Sequence, residues 1–224
     1  MKKTKRKILV IAPHPDDEVL GCGGIIARYS RQGDEVFLCV VTKAYAPDWS
    51  EEFIKNRPKE VGAVRKILGI KKVYFLDFPT VKLDTVPQKE LIAAISGVIK
   101  DIGPETLYLP HIGDINKDHR LVFEAALVAS RPLSAPVIKK ILSYETLSET
   151  EYGMSLKIFS PNVYEDVSGT FGSKIEAIKV YGSELKEFPH PRSLEVIGAL
   201  AKKRGSEAGF KLAEAFMLIR EMSS

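Results

Sequence analysis

The chain alternates short apolar runs with segments of helical periodicity, and this alternation limits its fold more than any other feature. The first three runs cover residues 8–12, 35–42 and 72–77. Their nearly continuous apolar character is typical of strands that are buried on both faces. Strands that alternate with helices predict a parallel sheet with right-handed crossovers. We therefore expect the α/β class: a Rossmann-like, doubly wound, mostly parallel sheet with helices on both faces.

The remaining segments fit the same plan. Further strands are predicted at 106–110, 137–144 and 163–167, whereas 213–220 fits a helix or a strand. Pro58 predicts a kink or a break in the second helix. With no internal repeat and no linker, the whole chain, 1–224, is expected to form one domain. Its first residues, 1–7, are expected to be a flexible basic tail. The predicted helices cover residues 19–31, 51–68, 87–100, 120–130, 172–181 and 193–203.

Charge and cysteine content exclude some classes of protein. Lysine and arginine total 33 against 29 aspartate and glutamate residues, but five of the basic residues lie in the tail, so the rest of the chain is nearly neutral. Nucleic-acid binding is not expected, because no basic cluster interleaved with aromatics appears. No apolar stretch is long enough for a membrane span. Cys22 and Cys39 lie among apolar neighbours, as reduced thiols do, which favours a cytoplasmic location.

Polar chemistry is concentrated directly after the first predicted strand, in the segment Pro-His-Pro-Asp-Asp-Glu at 13–18. This position lies at the carboxyl edge of the sheet, where doubly wound folds bind ligands. His14 and Asp17 are three residues apart and can hold one ion together, leaving Asp16 as a free carboxylate. The alternative is that Asp16 caps the following helix and Glu18 favours its first turn. Capping needs only one carboxylate, so we prefer the metal site.

A second polar cluster, residues 110–119, follows the fourth predicted strand. If the strand order of the sheet reverses between the first and fourth strands, the loops that follow these strands face each other at this switch point. His119 can then supply a third ligand. Two histidines and one carboxylate describe a hydrolytic zinc site and also the non-haem iron triad, and spacing does not separate Zn²⁺ from Fe²⁺. The alternative for His119 is a residue packed on the sheet at the start of a helix.

Two other classes of enzyme lack their motifs. Gly21, Gly23 and Gly24 suggest a dinucleotide site, but Ile26 occupies the position of the last required glycine, and the turn is rich in carboxylates that repel a pyrophosphate. We expect these glycines to allow close packing of helix against sheet instead. A serine hydrolase is not supported, because no Gly-x-Ser-x-Gly follows a strand.

Together the two polar motifs and the C-terminal segments 159–166, 189–193, 204–205 and 213–216 resemble the PIG-L/LmbE family of zinc-dependent N-acetylglucosaminyl deacetylases, from residue 13 to about residue 216. The resemblance implies zinc ligation by His14, Asp17 and His119, with Asp16 as the general base. It also implies a substrate-binding role for Arg57, against the alternative of a surface ion pair with Glu60. Asp118 matches the carboxylate that precedes the last zinc ligand.

The sequence departs from the family pattern at one position. Many members have His-x-Asp-His, whose first histidine helps to stabilise the oxyanion, and here residues 116–119 read Asn-Lys-Asp-His. Asn116 can still donate a hydrogen bond to an oxyanion but cannot carry a positive charge. His111 and His190 are candidates for the missing role. We expect the remaining substrate contacts at Asp114, Asp118, Arg192 and Trp49.

The expected activity is hydrolysis of the acetamide of an N-acetylated amino sugar of the N-acetylglucosamine type, or of its conjugate, with release of acetate. One rival is a magnesium-dependent phosphohydrolase using Asp16, Asp17 and Asp114, although magnesium prefers oxygen ligands to histidine. Another is a catalytically silent sugar-binding protein. The loop around His190 is also compatible with a homo-oligomer in which this residue completes the site of a neighbour.

Overall fold

A seven-stranded sheet runs through the computed structural model of the protein, which describes residues 5–133 and 136–223. Its strands are β1 (Lys7–Ala12), β2 (Glu35–Lys43), β3 (Lys72–Pro79), β4 (Thr106–Leu109), β5 (Lys140–Tyr144), β6 (Val163–Asp166) and β7 (Ala213–Glu221). The helices are α1 (Asp17–Arg31), α2 (Glu51–Leu68), α3 (Gln88–Ile102), α4 (Lys117–Ala129), α5 (Phe171–Val180) and α6 (Leu194–Ala208), with one 3₁₀ turn at Leu83–Thr85.

The strand order is β3-β2-β1-β4-β5-β7-β6. The first five strands of the chain are parallel, and β7 is antiparallel to both β5 and β6. The direction of winding reverses between β1 and β4, so the switch point lies at their carboxyl ends. The structure therefore confirms the predicted doubly wound, mostly parallel class.

Alternate residues of the central strands face two separate cores. Val10 and Leu38 belong to the core beneath α1, α2, α5 and α6, whereas Leu9 and Leu107 belong to the core beneath α3 and α4. This division is the period-two alternation of a strand whose two faces are both covered. The two helical layers leave the carboxyl edge of the sheet open for the polar loops.

Several predicted elements need correction. The strand at 72–77 is not buried on both faces, because β3 is the edge strand and Phe75 is 46% exposed. Pro58 lies inside one continuous helix, α2, which ends at Gly69 with a φ of 71°. Helix α4 begins at Lys117 and not at 120, because the Asn116 side chain caps it. The ambiguous segment 213–220 is a strand.

The predicted flexible tail is too long. Lys7 is the first residue of β1, and the Arg6 backbone and guanidinium both donate to the Asp34 carboxylate. Arg6 also lies over the ring of Tyr29, 4.9 Å from its centroid. These two residues, Arg6 and Lys7, are fixed by the fold. The first part of the predicted tail, residues 1–4, lies outside the described residues.

The prediction for the two cysteines agrees with the structure. Cys22 and Cys39 are buried free thiols. Among the described residues, no helix combines the length and apolarity needed to cross a membrane.

Gly21 provides a direct test of the packing between α1 and the sheet. A Cβ added there would lie 2.2 Å from a ring atom of Tyr144, whose hydroxyl donates to the carbonyl of Ile11 at 2.9 Å. We expect Gly21→Ala to lower the free energy of unfolding by about 1–3 kcal/mol, because the buried ring must move. Urea denaturation measures this.

The matched control for Gly21→Ala is Gly97→Ala. A Cβ added to this helical glycine of α3 meets no atom within 4 Å. Alanine is the better helix former, so we expect stability to rise by up to about 1 kcal/mol. Equal stability of the two variants would contradict the packing described here.

Candidate metal centre and active-site cleft

Three side chains from the two polar loops meet at the switch point. His14 comes from the loop after β1, Asp17 from the first residue of α1, and His119 from the first turn of α4. Nδ1 of His14 and Nε2 of His119 each lie 3.3 Å from Oδ2 of Asp17. One ligand atom of each residue lies within 4.8 Å of the others. The structure thus brings together the three predicted ligands.

The spacing and the bonding of these atoms fit a metal ion. Ligands about 2.0–2.1 Å from a tetrahedral zinc lie about 3.3 Å from one another. His119 and Asp17 are almost fully buried, yet Nε2 of His119 and Oδ1 of Asp17 have no hydrogen-bond partner among the described residues. Buried polar atoms normally have a partner. A cation bonded to these residues would satisfy them.

Both histidines are oriented by further carboxylates. Nδ1 of His119 contacts Oδ2 of Asp114 at 2.8 Å, and Nε2 of His14 contacts Oδ2 of Asp118 at 3.1 Å. Such carboxylate–histidine pairs fix the ring and raise the basicity of the nitrogen that faces the metal. Thr150 donates to the other oxygen of Asp114 at 2.6 Å.

The positions of Asp114 and Asp118 correct the prediction that they bind substrate. Asp114 is fully buried behind His119. Asp118 also accepts hydrogen bonds from the backbone N–H groups of Val81 and Leu83. The same positions argue against the magnesium phosphohydrolase, because both oxygens of Asp114 are already engaged away from Asp16 and Asp17.

Asp114→Asn tests the support of His119. The asparagine lacks the negative charge that keeps the proton on Nδ1 of His119. It can also turn its N–H₂ group toward Nδ1, which would favour the wrong tautomer. We expect metal affinity to fall about 10- to 100-fold, measured by competition with a chromophoric chelator. Asp101→Asn, an exposed carboxylate on α3 paired with Lys72, is the control, and metal affinity should not change. Equal metal affinities of wild type, Asp114→Asn and Asp101→Asn would contradict the view that Asp114 supports His119.

Asp16 is held in a strained conformation beside the metal ligands. Its φ is 131°, outside the regions that side chains favour, and it makes no side-chain capping bond to α1, so capping does not explain it. Its N–H donates to Glu18 at 3.0 Å, and the Tyr181 hydroxyl donates to the other oxygen of Glu18 at 2.7 Å. Strain of this kind is typical of functional sites.

Burial raises the pKa of two carboxyl groups in the turn that leads into α1. Loss of solvent, together with the charge of Asp17, raises the pKa of Asp16 well above its usual value, and Arg192 opposes this. Burial also raises the pKa of Glu18 to about 7. Glu18 was assigned only a helix-dipole role from the sequence, yet it fixes the backbone of Asp16.

A cavity of about 170 Å³ opens beside Asp16. Besides Asp16, four predicted site residues other than the candidate metal ligands line it, namely Asn116, Arg57, Arg192 and Trp49. The remaining lining residues are His14, Pro15, Asp16, Thr42, Ala44, Phe53, Thr80, Val81, Glu149 and Glu184. We call this cavity the cleft.

Arg57 forms its predicted ion pair and also lines the cleft. It forms the expected ion pair with Glu60 at 3.3 Å, yet its side chain is only 10% exposed and faces the cleft. It also pairs with Glu184 and lies over the ring of Phe53, 4.3 Å from the centroid. Its Nη1, the atom that forms the ion pair with Glu60, is buried and makes no hydrogen bond within the described residues.

The three residues considered for the oxyanion differ in position. Oδ1 of Asn116 caps α4 by accepting the Asp118 N–H at 3.0 Å, which leaves its amide N–H₂ group for the cleft. His111 is buried, contacts the Lys157 carbonyl at 3.0 Å and packs edge-on against Phe159. It is not part of the cleft wall.

His190 is also absent from the cleft wall. Its Nδ1 accepts the backbone N–H of Arg192 at 3.0 Å. The structure therefore places both histidines outside the cleft wall, where each makes a contact with a loop.

Two cleft residues were missed by the sequence analysis. Glu149 follows β5, and Glu184 follows α5. The position of Glu149 after a parallel strand was a usable signal, since the same edge carries the other polar loops. Glu184 lies outside any recognisable motif.

The fold and the cluster of two histidines and one aspartate define a doubly wound α/β protein with a candidate metal centre at its switch point. The chain belongs to the PIG-L family: the profile described as GlcNAc-PI de-N-acetylase matches residues 9–130. This confirms the resemblance seen in the motifs.

Two curated relatives span most of the chain. The uncharacterized deacetylase YaiS of Escherichia coli is 32% identical over 186 residues, covering 80% of this chain and 92% of its own. The diacetylchitobiose deacetylase of Thermococcus kodakarensis is 26% identical over 230 residues, covering 96% and 83%.

Solved structures share the fold. The conserved protein TT1542 of Thermus thermophilus has a TM-score of 0.79 at 24% identity, covering 97% of this chain and 96% of its own. The 4-carboxy-2-hydroxymuconate hydratase GalB of Pseudomonas putida has a TM-score of 0.77 at 19% identity, covering 98% of each chain. A fold that includes a hydratase does not by itself specify the reaction.

Proposed function

We propose that the protein is a zinc-dependent deacetylase that hydrolyses the acetamide of an N-acetylated amino sugar of the N-acetylglucosamine type, or of a conjugate of such a sugar. The products are acetate and the free amine. The observation that carries the proposal is the position of Asp16, a buried carboxylate next to the cluster of His14, Asp17 and His119 and open to the cleft. Membership of the PIG-L family and the named activities of the relatives support it.

The donor set favours zinc. Two imidazoles and one carboxylate are a common ligand set of catalytic zinc, with a position left for water or substrate. Iron(II) accepts the same ligands, so metal analysis must distinguish the two. When bound, such an ion polarises a carbonyl and lowers the pKa of a water molecule that it holds.

Asp16 is the proposed general base. Its carboxylate accepts a proton from the water that attacks the acetyl carbon, and the same group then returns the proton to the leaving nitrogen as the C–N bond breaks. Asp16 lies on a strained turn fixed by Glu18, so its position does not depend on the substrate. The burial of its side chain keeps bulk water from competing for the proton.

The cleft wall supplies the remaining interactions. The amide N–H₂ group of Asn116 is a neutral donor for the developing oxyanion. Arg57 lines the cleft and brings a positive charge toward a sugar hydroxyl or an anionic substituent. Trp49 provides an aromatic face for a sugar ring. All of these residues lie along one sheet edge, so we assign the activity to a single domain.

Acetate release tests the proposal. The purified protein is incubated with free N-acetylglucosamine, N,N'-diacetylchitobiose and nucleotide-linked N-acetylhexosamines, with and without a chelator, while its metal content is measured. We expect about one zinc per chain and acetate from at least one sugar, and chelation should stop the release. Phosphate release with magnesium would support the phosphohydrolase instead, and sugar binding without turnover would support the silent binding protein.

A further inference from the structure

Arg192 connects the candidate base to two other carboxylates of the cleft. Its Nη1 donates to Oδ2 of Asp16 at 2.9 Å and to Oε2 of Glu184 at 3.2 Å, and its Nη2 donates to Oε1 of Glu149 at 3.2 Å. Its Nε donates to the Ser148 hydroxyl at 2.7 Å. Three acidic side chains that would otherwise repel one another therefore share one guanidinium.

These contacts leave Arg192 little capacity for a substrate. A guanidinium has five N–H donors and no acceptor. In the part of the chain that the structure describes, it forms four hydrogen bonds to protein atoms, two of them from Nη1. Arg192 was expected to bind substrate, but its donors are directed at the protein.

The backbone of Arg192 is itself fixed. Its N–H donates to Nδ1 of His190 at 3.0 Å, and proline residues precede and follow that histidine, which restricts the loop. Ser193 then caps α6 by accepting the Val196 N–H at 3.2 Å. The guanidinium is thus presented from a rigid junction between loop and helix, 176 residues away from Asp16 in the sequence.

From this geometry we propose that Arg192 is a positioning residue for Asp16, and this proposal rests on the proposed deacetylase function. Arg192 holds Oδ2 and so directs Oδ1 of Asp16 toward the water that loses the proton. His190 contributes by fixing the Arg192 backbone. The C-terminal loop thereby completes a site whose reacting groups all lie within residues 14–119.

Positioning and substrate binding predict different kinetics. If Arg192 acts through Asp16, Arg192→Ala should lower kcat about 10- to 100-fold, the range expected when a catalytic group is misplaced by about 1 Å. KM should stay within about threefold, and the zinc content should not change. A rise in KM with unchanged kcat would show that Arg192 binds substrate and would overturn the proposal.

A double-mutant cycle with Asp16→Asn gives the sharper test. Once the base is absent, removing Arg192 as well should change the residual kcat/KM by less than about threefold. An equal loss in both backgrounds would mean that Arg192 acts independently of Asp16, which contradicts the proposal. Arg192→Lys retains the charge but not the forked donors, so its kcat should fall between wild type and Arg192→Ala.

Arg204→Ala is the matched control. This arginine of α6 also holds a partly buried carboxylate, with two bonds to Glu145 at 2.7 and 2.8 Å, but it is not part of the cleft. We expect it to lower the melting temperature and to leave kcat per folded molecule within about twofold of wild type. A loss of kcat equal to that of Arg192→Ala would mean that general destabilisation explains both.

A crystal structure of zinc-loaded Arg192→Ala provides a readout independent of activity. We expect the Asp16 carboxylate to rotate away or to occupy two conformers, while His14, Asp17 and His119 stay in place. An unmoved carboxylate would overturn the positioning role even if acetate release is confirmed. Conversely, a moved carboxylate in a protein that releases no acetate from any sugar would contradict only the proposed function.

Discussion

Replacing Asp16 by asparagine is expected to leave about one metal ion per chain and to lower kcat/KM for acetate release about 10²- to 10⁴-fold, the contribution typical of a general base. The amide has nearly the shape of the carboxylate and can keep a contact with Arg192, but it cannot accept the proton from water. Metal analysis and initial rates measured on the same preparation separate the two effects.

Glu60→Gln is the control for the Asp16 variant. This carboxylate lies on α2 and pairs with Arg57, but it does not line the cleft. Its variant should retain activity within a few fold of wild type. If Asp16→Asn protein released acetate at the wild-type rate, the assigned base would be wrong.

Replacing His119 by alanine is expected to remove the metal and with it all measurable activity. His119 is fully buried, its Nε2 faces Asp17, and its Nδ1 is held by Asp114. No neighbouring side chain among the described residues offers a third imidazole or thiolate to the cluster. Two remaining ligands hold zinc much more weakly than three, so dialysed protein should contain under about a tenth of the wild-type metal.

The matched variant for His119→Ala is His190→Ala, which also removes an imidazole from a loop near the cleft but keeps the three ligands. Its metal content should equal that of wild type. Loss of metal from both proteins would indicate unfolding, and circular dichroism distinguishes that outcome. Full metal retention by His119→Ala would exclude this residue as a ligand.

The sequence was sufficient to predict which side chains form the candidate metal site, because each candidate ligand belongs to a short motif directly after a central strand. The carboxyl ends of β1 and β4 meet at the switch point whatever the details of the loops. The positions of His14, Asp17 and His119 therefore follow from strand order and local spacing. The same reasoning predicted the elements themselves, with errors of a few residues at their ends.

The sequence was less informative where a contact joins distant loops. Asp114 and Asp118 were recognised as part of a polar motif, but whether they face the substrate or support the histidines depends on Thr150 and on the loop at 81–83. His111 and His190 were considered for the oxyanion because Asn116 replaces the histidine that many family members have at that position. Their partners in the structure are Lys157 and Arg192. No sequence pattern predicts either contact.

Arg192 illustrates the same limit. It was expected to contact substrate, yet its proposed role follows from four acceptors that come from the loops after β1, β5 and α5. Only the folded structure shows that these acceptors occupy nearly all of its donors. These contacts are the basis of our proposal that Arg192 supports Asp16 and does not contact substrate.

The most direct test of the central claim is acetate release from N,N'-diacetylchitobiose and N-acetylglucosamine conjugates by zinc-loaded wild type, chelated wild type and zinc-loaded Asp16→Asn. We predict acetate from the zinc-loaded wild type alone, with activity restored when zinc is returned to the chelated protein. Equal release by the Asp16→Asn protein, or no release by fully loaded wild type from any N-acetylated sugar tested, would contradict the account.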